Sequence, residues 1–222
     1  MSMRLFAPAA VAAACFASFA TAMPVNPFTE DFSDGASGWL TNLDNPVTFV
    51  DTGTEQFIQT TEALSLIVPP GPPAPASGTV LRGESGASGD AFAGNWIDAG
   101  VREFSFDVRH FGPSPLNFGV RIAPPTNFPG AIAVDFVPVL PGVWTTITFE
   151  VSPTSTDFIS FSGGDFNSVF SNVGNLQIQV LGDVALSGEE VTIQLDNVSI
   201  VPAPASVLAL LPLGAGAARR RR

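Results

Sequence analysis

The chain has no lysine, one cysteine and one histidine in 222 residues. The cysteine, Cys15, lies in an apolar stretch near the N-terminus, so residues 23–200 hold none. That excludes a disulfide framework and a thiolate-ligated zinc site from this segment. It also removes cysteine and lysine nucleophiles, and a lone histidine cannot build a histidine metal cluster. That residue, His110, closes an alternating run and reads as a surface side chain at a strand end. Residues 23–200 contain no G-x-S-x-G; Gly83-Glu84-Ser85-Gly86 and Gly86-Ala87-Ser88-Gly89 come nearest and read as glycine-rich loop. A glycosidase pair needs two acids facing each other across a cleft, and no cue to a cleft singles out any of the twenty. These absences describe a non-enzyme.

Cations are scarce as well. Arg4 and Arg219 to Arg222 stand in the end segments, which leaves four arginines against twenty carboxylates in residues 23–200, a formal charge of −16. Such a field disfavours nucleic acid and anionic lipid as partners and favours solubility outside the cell. Calcium is compatible with it, because that ion takes clustered oxygen ligands.

What is present is the vocabulary of strands: Phe, Val, Thr, Gly and Pro in short alternating runs. Phe28 to Phe32, Val47 to Val50 and Ala63 to Val68 are strand candidates, and the proline-rich 69–75 reads as a surface loop. In 103–110 Phe104, Phe106 and Val108 alternate with polar residues, and in 116–122 Leu116, Phe118, Val120 and Ile122 do. Ile132, Val134 and Phe136 repeat that period, followed by Val143, Thr145, Ile147, Phe149 and Val151, then Leu176, Ile178 and Val180. One short helix is expected over 165–171, with Asp165 as its N-cap. In the last strand, Val191 to Val201, the apolar parity slips at Asp196-Asn197, which predicts a bulge. The sum is an all-β, antiparallel, jelly-roll-like β-sandwich of one domain, residues 23–200.

Asp31-Phe32-Ser33-Asp34-Gly35-Ala36-Ser37-Gly38-Trp39 and Leu195-Asp196-Asn197-Val198-Ser199-Ile200 resemble the two ends of galactose-binding-like sandwich domains, shared by several carbohydrate-binding-module families. Phe92-Ala93-Gly94-Asn95-Trp96, leading into Phe104 to Arg109, is similar to laminin-B-type members of that group. The resemblance implies a structural Ca²⁺ joining the two ends, with Glu30, Asp31, Asp34 and Asp196 as its candidate ligands. Ser33 stands where those domains frequently have Glu. The alternative reading is that Asp31 and Asp196 cap loops. Trp39, Trp96 and Trp144 could stack on sugar rings; Trp144 is the best placed, since its parity is opposite to that of Ile147, Phe149 and Val151. Buried tryptophans are the alternative.

The ends carry addresses. Residues 1–22 read as a secretory signal peptide: a basic start, an apolar run and the Ala20-Thr21-Ala22 site for signal peptidase. An acylated Cys15 is the other reading, against which stand Ala12 three places before it and an apolar run that continues past it. Residues 201–222 read Val201-Pro202-Ala203-Pro204, an apolar run, then Arg219, Arg220, Arg221 and Arg222. From Ala205 to Ala218 is 14 residues, ~21 Å as a helix, short of the ~30 Å hydrocarbon core. This tail resembles the PEP-CTERM sorting signal, with Ala203 where the family has Glu and with Pro212 inside the apolar run. A simple membrane anchor is the alternative. The PEP-CTERM resemblance implies processing by an exosortase-type transpeptidase, transient inner-membrane anchoring, and a place at the bacterial cell surface among exopolysaccharide. The expected role is structural or adhesive, or that of a lectin-like module for a defined glycan.

Overall fold

A computed structural model describes residues 23–67 and 76–202. The predicted signal cleavage residues Ala20 and Ala22, the loop at 69–75, and Pro204 and Arg219 to Arg222 of the tail lie outside the described residues. Twelve strands and one helix follow in order. The first six strands are β1 (Phe28–Glu30), β2 (Leu40–Thr41), β3 (Thr48–Asp51), β4 (Gln56–Ala63), β5 (Ala76–Gly83) and β6 (Val101–His110). Then come β7 (Leu116–Ala123), β8 (Gly130–Val139), β9 (Thr145–Glu150), β10 (Ile159–Phe161), helix α1 (Phe166–Phe170), β11 (Asn175–Gly182) and β12 (Glu190–Pro202). They form two antiparallel sheets. One has the order β3-β4-β12-β6-β9, with β1 beside β12; the other has the order β10-β8-β7-β11-β5-β2.

The predicted β-sandwich is therefore present, and period two explains most of its core. Phe104, Phe106 and Val108 of β6 meet Phe118, Val120 and Ile122 of β7 and Leu176, Ile178 and Val180 of β11 in one buried cluster. Each such side chain contributes roughly 1.5–3 kcal/mol on burial. The helix forms as expected. The Asp165 carboxylate accepts from the Ser168 N–H at 2.8 Å, the Ser168 hydroxyl accepts in return from the Asp165 N–H, and Val169 and Phe170 are buried.

The bulge is where the parity slip puts it. Pairing of β12 with β6 breaks between Asp196 and Ser199, and Asn197 adopts a φ of 49°. Asparagine tolerates that left-handed conformation better than most residues. Its side-chain amide donates to Asp107 at 2.8 Å, tying the bulge to the neighbouring strand.

Several expectations need correction. Trp39 and Trp96 are core residues, 1% and 0% exposed, and hold no sugar platform. The Ala63 to Val68 stretch is mostly not a strand; the strand precedes it as β4, whose Gln59-Thr60-Thr61-Glu62 sequence hides its period. In β8 the buried parity is inverted. Ala131 and Ala133 face the core, Ile132 and Val134 are half-buried on the opposite face, and Phe136 is 70% exposed. Both parities of β8 are apolar, so alternation alone does not choose the buried face; α1 packs on β7 and β8. Finally, β12 runs two residues past position 200. Val201 pairs with Glu103 and Pro202 with Val101, so these two positions of the predicted tail belong to the sheet. Pro202 is tolerated because it ends the strand.

Candidate binding face

The outer face of the second sheet carries the most developed polar arrangement. Alternation places Gln177 and Gln179 of β11, Arg121 and Asn117 of β7, and Arg82 and Thr79 of β5 on that face, opposite the core residues. Cross-strand register then aligns Arg82, Gln177 and Arg121 in one row, with Ile132 of β8 and Ile159 of β10 continuing it. A polar sheet face normally sits in water. Here Arg121, Gln177 and Gln179 are only 9%, 7% and 7% exposed. They are recessed, so their hydrogen bonds must be satisfied within the row.

They are. Arg121 donates through one nitrogen to Gln177 Oε1 at 2.9 Å and Asn127 Oδ1 at 2.6 Å, and through the other to the Asn127 carbonyl. Arg82 donates to Glu84 at 2.8 Å through Nε and forms ion pairs with Glu84 and Asp44. Gln179 Nε2 donates to Thr79 at 3.1 Å. Burial is the main influence on the Arg121 guanidinium and lowers its pKa; Glu84 opposes this and Arg82 adds to it.

Rings frame the row. The Arg121 guanidinium lies 5.3 Å from the Phe128 ring centre and 5.4 Å from that of Phe161. Phe128 is 58% exposed, and Phe136 and Ile159 are exposed further along the same face. Gly130 makes the arrangement possible, since a Cβ there would come within 2.6 Å of the Phe161 ring. At the other end, Glu84 and Asn175 line a cleft of about 340 Å³ together with Asp90, Pro125 and Asn172. Planar amides and guanidinia held rigidly, with exposed rings beside them, suit a ligand that offers hydroxyls in a plane and apolar C–H faces. This row lies in the alternation as Gln177, Gln179 and Arg121. Nothing in the sequence says that the polar side of those strands is recessed.

Trp144 sits elsewhere, just before β9 of the first sheet, and is half-buried. One of its faces is covered by Arg109, whose guanidinium lies 4.4 Å from the ring, and Phe57 meets it edge-on at 5.7 Å. Arg109 is held in turn by Gln194 at 2.6 Å and Glu55 at 3.5 Å. Much of this tryptophan is therefore engaged by its own protein.

The acids expected to hold calcium make local contacts of their own. The Glu30 carboxylate turns inward and accepts from the Phe32 N–H at 3.0 Å. Asp31 caps Ser33, whose N–H and hydroxyl lower its pKa, and Asp34 is exposed. Asp31 and Asp196 are close enough to feel each other's charge. Burial first, then repulsion from Asp107, Asp31 and Glu55, raises Asp196 to about 6 against the Asn197 N–H that favours its ionised form. Among the described residues, no three histidine, cysteine or acidic side chains are placed to hold a metal ion.

His110 is also corrected. It is fully buried. The Gly112 N–H donates to its Nδ1 at 3.1 Å, which makes Nδ1 an acceptor and leaves the proton on Nε2, 3.0 Å from the Val139 carbonyl. Burial lowers its pKa, opposed by the Val139 contact. Both ring nitrogens are spent on backbone, so it has no role as a general base.

No protein-family model matches the chain, and no curated relative does. Solved structures share its β-sandwich architecture. An exo-β-agarase structure matches with a TM-score of 0.50 at 12% identity, over 81% of this chain and 25% of that one. The family 11 carbohydrate-binding module of the cellulosomal cellulase Lic26A-Cel5E of Clostridium thermocellum matches with a TM-score of 0.46 at 11% identity, over 82% and 97%. The CBM22-1 and GH10 modules of xylanase 10B from the same organism, complexed with xylohexaose, match with a TM-score of 0.47 at 16% identity, over 84% and 30%. The chain thus spans about a quarter to a third of the two enzyme structures and nearly all of the isolated module. At these identities the likeness is one of fold.

Proposed function

We propose that this chain is a non-enzymatic carbohydrate-binding sandwich that holds a neutral polysaccharide along the outer face of its second sheet. The observation that carries this reading is the recessed Arg82–Gln177–Arg121–Asn127 row beside the exposed Phe128 ring. The charges of Arg82 and Arg121 are balanced by Glu84 and Asp44, so the row carries no surplus positive charge. With the chain's strongly negative balance this selects neutral glycans over acidic ones.

A polysaccharide pull-down and glycan array with the full chain test it. Saturable retention on a neutral glycan is expected, weakened about tenfold or more in Phe128→Ala with the fold intact, as removal of an exposed aromatic anchor predicts. Retention unchanged in Phe128→Ala, or equal retention on every polymer, sinks the reading. Loss in Trp144→Ala instead would move the site to the first sheet.

We further propose secretion through signal peptidase and sorting of the C-terminal segment by an exosortase-type enzyme, which would place this face within an exopolysaccharide layer. Intact-mass measurement of the cell-associated protein should show loss of both end segments. A version lacking Arg219 to Arg222 should keep its C-terminal segment; identical masses at that end would remove the sorting proposal.

A further inference from the structure

The outer face of the second sheet is open on one side and closed on the other. On the β10 side the row runs out on a strand of three residues, where Ile159 is 67% exposed. On the β2 side Leu40 pairs with Arg82, and Asp44 of the turn after β2 reaches Arg82 as an ion pair. Two positions along from Arg82 and Gln177, on the same parity, stand Glu84 and Asn175. The cleft of about 340 Å³ opens there, with Leu40 in its lining.

This cleft has built walls. Its floor is the Gly94–Val173 bridge, whose two backbone hydrogen bonds are 2.7 and 2.8 Å. The 84–94 segment makes one wall and is pinned to the core. The indole N–H of buried Trp39 donates to Ser88 Oγ at 3.0 Å, and the Ser88 N–H donates to the Ser37 carbonyl at 2.7 Å. Pro125 makes the other wall, so close to Gly174 that a Cβ there would lie 2.5 Å from the proline ring.

Asn175 gives the cleft its chemistry. It is 7% exposed and its Nδ2 donates to the Pro124 carbonyl at 2.8 Å, while among the described residues no group donates to its Oδ1. A recessed amide oxygen in that condition is unfavourable unless water or a ligand meets it. Beside it Glu84 uses Oε1 on Arg82, which leaves Oε2 as a second acceptor. Acceptors on fixed walls suit hydroxyl donors. The volume is near the lower end of ligand pockets, roughly 300–1,000 Å³. It has room for an end unit rather than for a chain that continues.

We infer that this cleft is a terminal subsite: it takes the end unit of a neutral polysaccharide, so the face holds chain ends and not chain interiors. The inference rests on the glycan reading of the arginine row. An end unit carries a free hydroxyl where an interior unit carries a linkage, and Asn175 Oδ1 and Glu84 Oε2 are placed to accept from it. An interior unit would put its next sugar into the 84–94 wall.

The test is retention of the full chain on a neutral β-glucan, before and after limited endo-hydrolysis, at constant polymer mass. Saturating capacity should rise in proportion to the number of chain ends. Binding lost on borohydride reduction of the hydrolysate would identify the reducing end, and binding that survives it the non-reducing end. Ser85→Trp and Asn172→Trp fill the cleft from exposed positions without side-chain hydrogen bonds. Each should fold as the parent does by thermal unfolding and weaken binding about tenfold or more. Phe128→Ala should weaken binding of polymer and hydrolysate alike, with capacity still following the ends. Capacity independent of chain length, or parental binding in both tryptophan variants, would overturn the terminal subsite while loss in Phe128→Ala kept the row as a site for chain interiors. Retention on no neutral glycan at all would remove the row, and the subsite with it.

Discussion

Arg121→Ala should abolish retention on polysaccharide and lower stability by about 2–4 kcal/mol, since hydrogen bonds to a charged group contribute roughly 1.5–3 kcal/mol and leaving their partners unmet adds to the loss. The guanidinium joins Gln177 to Asn127, and it carries the rings of Phe128 and Phe161. Removing it strands an amide at a position only 7% exposed and frees the loop that presents Phe128. Arg121→Lys separates charge from geometry. A single ammonium cannot reach both partners as the planar fork does. The lysine variant should therefore fold yet lose most binding, with thermal unfolding and pull-down as the two measurements. A lysine variant that binds as the parent does would show that the row is not the contact surface. Coupling of about 0.5–3 kcal/mol between Arg121→Lys and Gln177→Ala is expected in a double-mutant cycle.

The second large effect is in the pH dependence of stability, where buried His110 and half-buried Asp196 pull in opposite directions. His110 has its folded-state pKa below the ordinary 6.5. The unfolded chain takes up this proton first, so stability is complete above that value and is lost as pH falls through the folded pKa. Asp196 is held at about 6 against an ordinary 3.8. Here the folded chain keeps the proton longer, so its contribution is full below about 4 and is lost as pH rises through 6. Denaturant titrations across this range should give a shallow profile for the parent protein. His110→Gln retains a donor toward Val139 and cannot titrate, so its stability should climb toward acid until about pH 4. Asp196→Asn should be more stable than the parent near neutrality by about 1–2 kcal/mol, the shift being discounted for solvent screening. It should lose that advantage in acid. If the asparagine variant is instead destabilised at neutral pH, and EDTA lowers the parent's melting temperature, Asp196 serves a cation and the calcium expectation returns.

The fold was largely legible because its central strands obey one period. Phe104, Phe106 and Val108, like Leu176, Ile178 and Val180, need no tertiary information to be assigned a buried face. Even the bulge at Asp196-Asn197 could be read, since a slip of one residue in a period of two has few other solutions. Legibility failed where apolar residues occupy both parities, as in β8, and where packing depends on what is missing. Gly119, Gly78 and Gly83 sit so close to the Ala133 carbonyl, the Ser65 carbonyl and the Trp39 ring that a Cβ would collide. Those contacts are tertiary, and a strand such as β5 shows no clear period until its neighbours are known. The candidate row was hidden for a related reason. Gln177 and Arg121 look like solvated positions, and only the 124–129 loop and the Phe161 ring make them recessed.

The position of β12 has a mechanical meaning. Its residues bond to β4 and β1 on one side and to β6 on the other, and the strand ends at Pro202. A pull applied beyond Pro202 runs along the strand axis, so the ladders on both flanks are loaded in shear and must give way together. A load on an edge strand such as β3 or β10 would instead peel pairs one at a time. A module gripped through that end is gripped by its innermost strand, the attachment that best withstands drag on whatever its other sheet holds.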